Sequence, residues 1–436
     1  MNNCHITNID PDWIGSLPKE WTLRPLKSLF RIVGGSTPKS DVEVYWDGDV
    51  VWITPTDLGR DGIAKLSGSL RTITPEGLAS CATTMVPPRS IILSTRAPIG
   101  SLGVATVPLC TNQGCKALVP GNAAASAFFA YLLSIATDAL QLRGKGTTFL
   151  ELSADELGAF KVPVPPLPEQ TAIATFLDRE TGKTDALVEE QKRLIELLKE
   201  KRQAVISHAV TKGLNPDARM KASGVEWLGE VPEHWAIIRG RSLFQKVNVP
   251  AKPDDGVVTA FRDGQVTLRE RRRTDGYTLA ILEVGYQHVD VGDLVINGMD
   301  AFAGAIGVAE ASGKCTPEYA ILKPLRADVD NEYFSLALRL MATRNFIYVI
   351  CPSVRERAPR FRFETFKDVE LPVPPLEEQL EIVELATSLD VQFTKLTTEV
   401  ERNISLLMER RAALISATVT GKIDVSSLGL VSQAAE

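Results

Sequence analysis

The sequence is poor in the groups that carry out chemistry. Its six cysteines, Cys4, Cys81, Cys110, Cys115, Cys315 and Cys351, are scattered, with no CxxC pair and no histidine at metal-ligand spacing. That pattern argues against a metal site and for reduced thiols in a cytoplasmic protein. The four histidines are isolated, and no Ser/His/Asp or Cys/His arrangement can be built from spacing. His208 falls near the end of a helical stretch and His234 in a Trp-containing phrase, where packing is the expected role. No apolar run reaches membrane-spanning length: Ser126 to Leu140 comes nearest and carries Asp138. The N-terminus lacks a basic-then-apolar signal pattern. Positive charge is not in excess either. With 48 Lys and Arg against 54 Asp and Glu, a net charge of −6 and a pI near 5.5, any nucleic-acid contact must come from local basic loops.

Catalytic motifs are missing as well. A phosphate-binding loop would end in Gly-Lys-Ser/Thr, and Gly144-Lys145-Gly146-Thr147-Thr148 echoes it without the preceding spacing or strand, so it reads as a flexible basic loop. An amino-methyltransferase needs an acidic-or-amide, Pro-Pro, aromatic loop. Each Pro-Pro pair here is followed instead by Arg89, Leu167 or Leu376. Runs such as Glu189-Glu190-Gln191-Lys192 read as a solvated helix face. The chain is therefore expected to have no catalytic residue, no metal ligand and no cofactor of its own.

What the chain does contain is a stretch written twice. Pro163-Val164-Pro165-Pro166-Leu167-Pro168-Glu169-Gln170 returns as Pro372-Val373-Pro374-Pro375-Leu376-Glu377-Glu378-Gln379, 209 residues on (372 − 163). Proline fixes φ and removes a donor, so this elbow is extended and a helix can begin only behind it, with Glu169 or Glu377-Glu378 against the positive end of the helix dipole. Heptad spacing places Ile382, Ala386, Leu389, Phe393, Leu396, Val400, Asn403, Leu407, Arg410 and Leu414 on one seam. The first copy gives Ile173, Leu177, Glu180, Thr184, Leu187, Gln191, Leu194, Leu198, Lys201 and Val205. The simplest partner for one such helix is the other. Asn403, Arg410, Glu180 and Lys201 are expected to fix the register between them.

A second repeat brackets the module. Trp13-Ile14-Gly15-Ser16-Leu17-Pro18-Lys19-Glu20-Trp21 returns as Trp227-Leu228-Gly229-Glu230-Val231-Pro232-Glu233-His234-Trp235, 214 residues on (227 − 13). Two offsets this close mean that a whole module is duplicated, giving globular domain, helix, globular domain, helix. Strands are expected at Val50–Ile53, Ser90–Leu93 and Gly103–Val107, and in the second domain at Val257–Thr259, Thr278–Leu282, Asp293–Ile296 and Ala320–Lys323. One helix is expected over Phe128–Leu142 and another over Tyr333–Val349. The class is α+β.

The remaining signal is basic. Arg269, Arg271, Arg272 and Arg273 form one cluster, and Arg355, Arg357, Arg360 and Arg362 a denser one. Arginine can neutralise phosphates and hold guanine bidentately in the major groove, so both clusters are candidate DNA-binding residues. In the first domain the candidates are dispersed: Arg60, Lys65, Arg71, Arg96, Arg143 and Lys145.

A duplicated domain-plus-helix module with Pro-Pro-Leu-x-Glu-Gln opening each helix resembles the specificity subunit of type I restriction-modification enzymes. Further marks are Gly35-Ser36-Thr37-Pro38, Thr54-Pro55-Thr56-Asp57-Leu58, Ser94-Thr95-Arg96-Ala97-Pro98-Ile99-Gly100, Thr111-Asn112-Gln113-Gly114-Cys115-Lys116-Ala117-Leu118 and Gly146-Thr147-Thr148-Phe149. The second domain adds Gly292-Asp293-Leu294-Val295-Ile296-Asn297, Gly307-Val308 and Pro317-Glu318-Tyr319. The resemblance implies target recognition domains at 1–160 and 214–368, each with its elbow and spacer helix at 161–213 and 369–424, and a flexible tail at 425–436. It implies an antiparallel coiled coil with pseudo-twofold symmetry, and double-stranded DNA read as two halves of an asymmetric bipartite site. It also implies two modification subunits bringing S-adenosylmethionine, and restriction subunits bringing ATP and Mg. A coiled-coil adaptor that never touches DNA and a self-sufficient methyltransferase or endonuclease are the competing readings. DNA affinity falling steeply with salt separates the first from the specificity reading, and turnover by the chain alone separates the second.

Overall fold

The computed structural model describes residues 13–15, 17–59, 62–96, 98–146, 150–272, 284–351 and 360–425. It separates into two compact units, residues 1–192 with 401–436, and residues 193–400. Each unit is a globular α+β domain together with a share of both long helices, Leu167–Lys212 and Leu376–Val419.

In the first unit, five strands lie in the order Phe30–Gly34, Cys115–Pro120, Ile91–Thr95, Ile99–Ala105, Ile63–Leu66. All five residues of Ile91–Thr95 are buried, the apolar run Ile91-Ile92-Leu93 as expected at the centre of a sheet, and Ser94 and Thr95 with their hydroxyls donating to the Pro98 and Gly114 carbonyls. Phe128, Phe129, Leu132 and Leu133 of the Ser126–Ser134 helix share one core with Ile91, Leu93 and Leu118, and so do Ile173 and Leu177 of the first long helix and Ile415 and Val419 of the second. In the second unit the main sheet runs Phe244–Val247, Tyr319–Pro324, Leu294–Asn297, Ile306–Val308. Its core joins Phe244, Leu294, Ile296, Leu322, Tyr333, Phe334 and Leu338 to Ile206, Val210, Ile382 and Ala386 of the long helices.

Both domain helices are shorter than their sequence spacing suggests. The stretch expected as one helix over Phe128–Leu142 is two, Ser126–Ser134 and Thr137–Gln141. That over Tyr333–Val349 is Asn331–Thr343 followed by Phe346–Ile350, because Asn345 takes a left-handed φ of 59° that a right-handed helix cannot continue through. The strand expected at Thr278–Leu282 lies outside the described residues.

The duplicated phrases close each domain upon itself in the same way. Thr22–Pro25 pairs antiparallel with Lys161–Val164, and Ala236–Arg239 with Glu370–Val373. Trp21 Nε1 donates to Glu169 Oε1 at 3.1 Å, and Trp235 Nε1 to Glu378 Oε2 at 2.9 Å. His234 Nε2 lies 2.8 Å from the same Glu378 oxygen, in keeping with a structural role. Gln170 is buried and donates to the carbonyls of Pro165 and Ala123 while accepting from Ala125 N. Gln379 repeats this with Pro374, Asp328 and Asp330 N. The Glu-Gln pair after each elbow is thus a lock: the carboxylate holds the Trp phrase and the amide holds the loop ahead of the domain helix. Gly213 and Gly421 end the two long helices at φ +75° and +74°, and the space beside each is closed by side chains of its own unit, Glu378 and Trp235 at Gly213 and Pro18 and Trp21 at Gly421.

The helix seam differs from the heptad reading. Leu187, Leu194 and Leu396 are exposed by 47%, 39% and 44%, and Lys201, Asn403 and Arg410 also face outward, so they fix no register. Glu180, the fourth residue expected in that role, bonds instead to its own-helix neighbours Arg179 and Lys183. The covered stripe runs through Leu177, Thr181, Thr184, Val188, Gln191, Ile195, Leu198, Arg202 and Val205, and on the second helix through Phe393, Thr397, Val400, Ile404, Leu407 and Arg411. Half of the positions match, and the alternate ones move by one residue. The charges that meet across the helices are Arg202 with Asp390 (2.5 Å) in one unit and Arg411 with Asp185 (2.8 Å) in the other. Apolarity picked the leucines, whereas the domain cores, which swallow Ala174, Leu177 and Thr181, set the rotation of the helix.

Candidate nucleic-acid interface

In the second unit, strands Val258–Ala260 and Val266–Leu268 form a hairpin whose turn carries Phe261, Arg262, Asp263 and Gly264. Gly264 sits at φ +95°, a conformation a Cβ disfavours. Behind the hairpin a short 3₁₀ turn, Arg269–Arg271, presents the predicted basic cluster. Arg269 and Arg272 enter one concavity of about 610 Å³, shared with Arg262, Asn297, Asp300 and Tyr319. Arg271 is exposed beside it.

The guanidinium groups in this concavity are held in place. Arg272 forks onto Asp263, with Nη1 to Oδ1 at 3.0 Å and Nη2 to Oδ2 at 2.7 Å, and its plane lies 4.4 Å over the Phe261 ring. Its hydrogen bond keeps the Asp263 carboxyl below the usual carboxylate range. Arg262 Nη2 donates to Asp300 Oδ1 at 2.9 Å, and Arg269 Nε to Thr259 Oγ1 at 3.1 Å. Asn297 accepts from Met299 N at 3.2 Å. Phosphates or guanine edges could be met by the arginines, adenine by the Asn297 amide and cytosine by a carboxylate. Sequence reasoning missed Arg262, Asn297, Asp300 and Tyr319. The Arg-Asp-Gly turn between two β-branched runs was a readable signal for Arg262.

The second predicted basic cluster is described only in part. Arg355 and Arg357 lie outside the described residues, as do Arg60 and Arg273. Arg360 pairs with Glu318 at 2.8 Å, and Arg362 is exposed at the start of the Phe363–Phe366 helix.

The first-domain candidates do not form one cluster. Arg71 stacks 3.9 Å over the Trp46 ring. Arg143 and Lys145 both pair with Glu156, at 4.0 and 2.6 Å, and Arg143 lies 5.3 Å over Phe160. Arg96 is half-buried at the end of the central strand, and Lys65 is exposed on Ile63–Leu66. The recurring motifs of this domain instead stitch its loops together. Ser36 N donates to Thr111 O and Thr37 Oγ1 bonds Gln113, while Trp52 Nε1 donates to Ser36 O. Asp57 accepts from Thr54 N and Leu70 N. A Cβ on Gly35 would stand 2.2 Å from the Thr111 and Asn112 carbonyl oxygens, so only glycine allows that approach.

Among the described residues, no group of three or more His, Cys, Asp or Glu is placed to hold a metal, and no helix is long and apolar enough to cross a membrane. Cys81, Cys110, Cys115, Cys315 and Cys351 are free thiols. Burial pushes Cys115 and Cys315 up to about 12 and Cys110 and Cys351 to about 11, which makes them poor nucleophiles.

With this geometry in hand, comparison with known proteins is informative. The specificity subunit of the MjaIX type I restriction enzyme of Methanocaldococcus jannaschii is 36% identical over 187 residues, covering 42% of this chain and 42% of the relative. That of the EcoR124I/EcoR124II enzyme of Escherichia coli is 30% identical over 185 residues, covering 41% and 45%. The alignment thus spans less than half the length of either relative. The EcoKI specificity subunit of Escherichia coli is 22% identical across 85% of this chain and 82% of its own. Among solved structures, a chain from work on assembly and conformational transition of the type I R-M system superposes with a TM-score of 0.69 at 15% identity, covering 94% of this chain and all of the other. The HsdS subunit from Thermoanaerobacter tengcongensis does so at 0.53 and 15%, covering 93% and 98%. The family model described as type I restriction modification DNA specificity domain matches residues 18–197 and 295–406. The chain, with its twice-built Trp-Glu-Gln lock and its two long helices, belongs to that family.

Proposed function

We propose that this chain is the DNA sequence-recognition subunit of a type I restriction-modification complex. Each recognition domain, 1–160 and 214–368, reads one half of an asymmetric bipartite site. The two long helices, 161–213 and 369–424 with their elbows, pair as an antiparallel coiled coil that sets the spacer between the halves. The observation that carries the reading is the combination of an identical lock in both units with unlike surfaces beside it. The second unit has an arginine-lined concavity, whereas the first unit's basic residues are dispersed. The antiparallel pairing is supported by Asp185 meeting Arg411 and Arg202 meeting Asp390, which only opposed chain directions allow.

Modification subunits dock on the helices in this reading. Leu187, Leu194 and Leu197 of the first helix and Val391, Leu396 and Leu406 of the second are exposed, and they supply the apolar surface such docking needs. These partners bring S-adenosylmethionine, and restriction subunits bring ATP and Mg; the chain itself is non-catalytic. The test is methylome sequencing of a host carrying this chain with its modification partner. The expected product is adenine methylation at one bipartite, asymmetric motif. Methylation at a single contiguous half-site, or none beyond that of the modification partner alone, overturns the reading.

A further inference from the structure

Arg202 and Arg411 are 209 residues apart, the offset of the repeat, and they occupy equivalent places on the two long helices, yet their surroundings differ in charge. In the first unit Arg411 grips Asp185 through Nε at 2.8 Å and Nη2 at 3.2 Å. The cleft beside it, about 530 Å³, also holds Asp178, bonded by the Tyr131 hydroxyl at 2.7 Å, and Lys65. Among the described residues its charges balance, two carboxylates against two cations. In the second unit the corresponding cavity, about 270 Å³, is lined by Arg202, Arg262, Arg339 and one carboxylate, Asp390, with Gln203 and Asn345; Arg262 also reaches Asp300, outside the lining, at 2.9 Å.

Two of these guanidinium groups are incompletely satisfied. Arg202 reaches Asp390 at 2.5 Å, but its Nε is buried without a partner. Arg339 lies against the Gly264 backbone, where a Cβ would come within 2.4 Å of its Cζ. Among the described residues its guanidinium has no hydrogen bond or ion pair, although its carbonyl accepts from Thr343 Oγ1 at 3.0 Å. Burial and the Arg202 charge hold Arg339 below its ordinary range, and Asp390 and Asp263 act the other way. A guanidinium N–H buried without an acceptor, as Arg202 Nε is, costs free energy that an anion would recover. Arg262 lines both this cavity and the concavity that holds Arg269 and Arg272, so the two are neighbours.

We propose that the cavity between Arg202, Arg262 and Arg339 is an oxyanion site that takes a phosphate group, to which the first long helix contributes directly. The group is a phosphodiester of the bound duplex or a free phosphorylated ligand. The first of these sources rests on the DNA-reading function, and the second does not. Among the described residues the site has no counterpart in the first unit, where Ser134 stands at the place of Arg339, counted from the backbone amide that each lock glutamine binds.

The experiment uses the full chain. Its melting temperature is followed in inorganic phosphate and in chloride at equal ionic strength, and its affinity for duplex DNA is followed against salt. Arg339→Met removes an unpaired cation, so the variant should melt in chloride no lower than wild type. Should it fail to fold, Arg339→Gln, which keeps a polar side chain but no charge, is measured in its place. Phosphate is expected to raise the wild-type melting temperature saturably and to lose that effect in the variant. A variant whose log-log salt slope for DNA falls by about 1 places a backbone phosphate in the site. A lost phosphate effect with an unchanged slope identifies a free ligand. The proposal is overturned if wild type shows no phosphate effect and the variant no slope change, or if the variant keeps the phosphate effect in full. Wild-type chain with no salt-dependent DNA affinity would instead defeat the DNA-reading function and leave the phosphate measurement to decide the site alone.

Discussion

Replacing Gln379 by methionine tests whether the repeated Pro-Pro-Leu-x-Glu-Gln stretch is an internal lock or a surface for partners. The side chain is fully buried. Its Nε2 donates to Asp328 O and Pro374 O at 2.9 Å each, and its Oε1 accepts from Asp330 N at 2.9 Å. Methionine keeps the volume and removes all three bonds. Two carbonyls and one N–H are then left in a dry site, each costing about 1–3 kcal/mol. Allowing for some relaxation, we expect a loss of about 3–5 kcal/mol. Gln379→Glu keeps the acceptor but sets a carboxylate against two carbonyl oxygens. It should be at least as damaging at neutral pH and partly relieved in acid, where the protonated form can donate one bond. Because a chain of two compact units need not unfold in one step, a single unfolding free energy is not well defined, so native-state hydrogen exchange is the appropriate assay. Protection should fall across residues 193–400 and hold in the first unit. Gln170→Met, which removes the bonds to Pro165 O, Ala123 O and Ala125 N, should reverse that pattern. A loss below about 1 kcal/mol, where three buried bonds were removed, or equal loss in both units, would refute the lock.

Across the helices, a double-mutant cycle on Asp185 and Arg411 should return a coupling of about 1 kcal/mol, since the fork is bidentate but Asp185 is half exposed; Arg410→Ala should stay within about 0.5 kcal/mol, and the opposite ranking would restore the heptad seam. Gly35→Ala drives a Cβ to 2.2 Å from two carbonyl oxygens and should destabilise by about 3 kcal/mol or more, whereas Gly68→Ala, with open space around it, should be near neutral. Asp263 and Asp290 are held below their usual value of 3.8 by Arg272 and Lys323. The stability they contribute is complete above that value and is lost as pH falls through their depressed folded-state pKa. Asp263→Asn should therefore lower the melting temperature at neutral pH and shallow its acid limb, and an unchanged limb would contradict the assignment. Four residues inserted after Glu190 lengthen the first helix by about 6 Å; methylation mapping should then report a changed spacer with both half-sites intact, and altered half-sites with the old spacer would rule out a ruler.

The sequence by itself determined the duplication, the elbows, the starts of the long helices, and the α+β class. These depend on interactions within a few residues, such as proline's fixed φ and acidic residues at a helix N-terminus, or on self-similarity along the chain. Tertiary structure decided which helix face is buried. An ideal helix drifts against a seven-residue repeat, and Thr181, Val188 and Arg202 rather than Glu180, Leu187 and Lys201 meet the domains and the opposite helix. It also decided what the charges do. Arg143 and Lys145 read as free basic residues, yet both are claimed by Glu156; Arg272 is fixed by Asp263; and Arg202, Arg262 and Arg339 come together from segments 137 residues apart (339 − 202). Linear spacing carries no record of such meetings, because a carboxylate's partner is chosen by the packing of elements far from it in the chain.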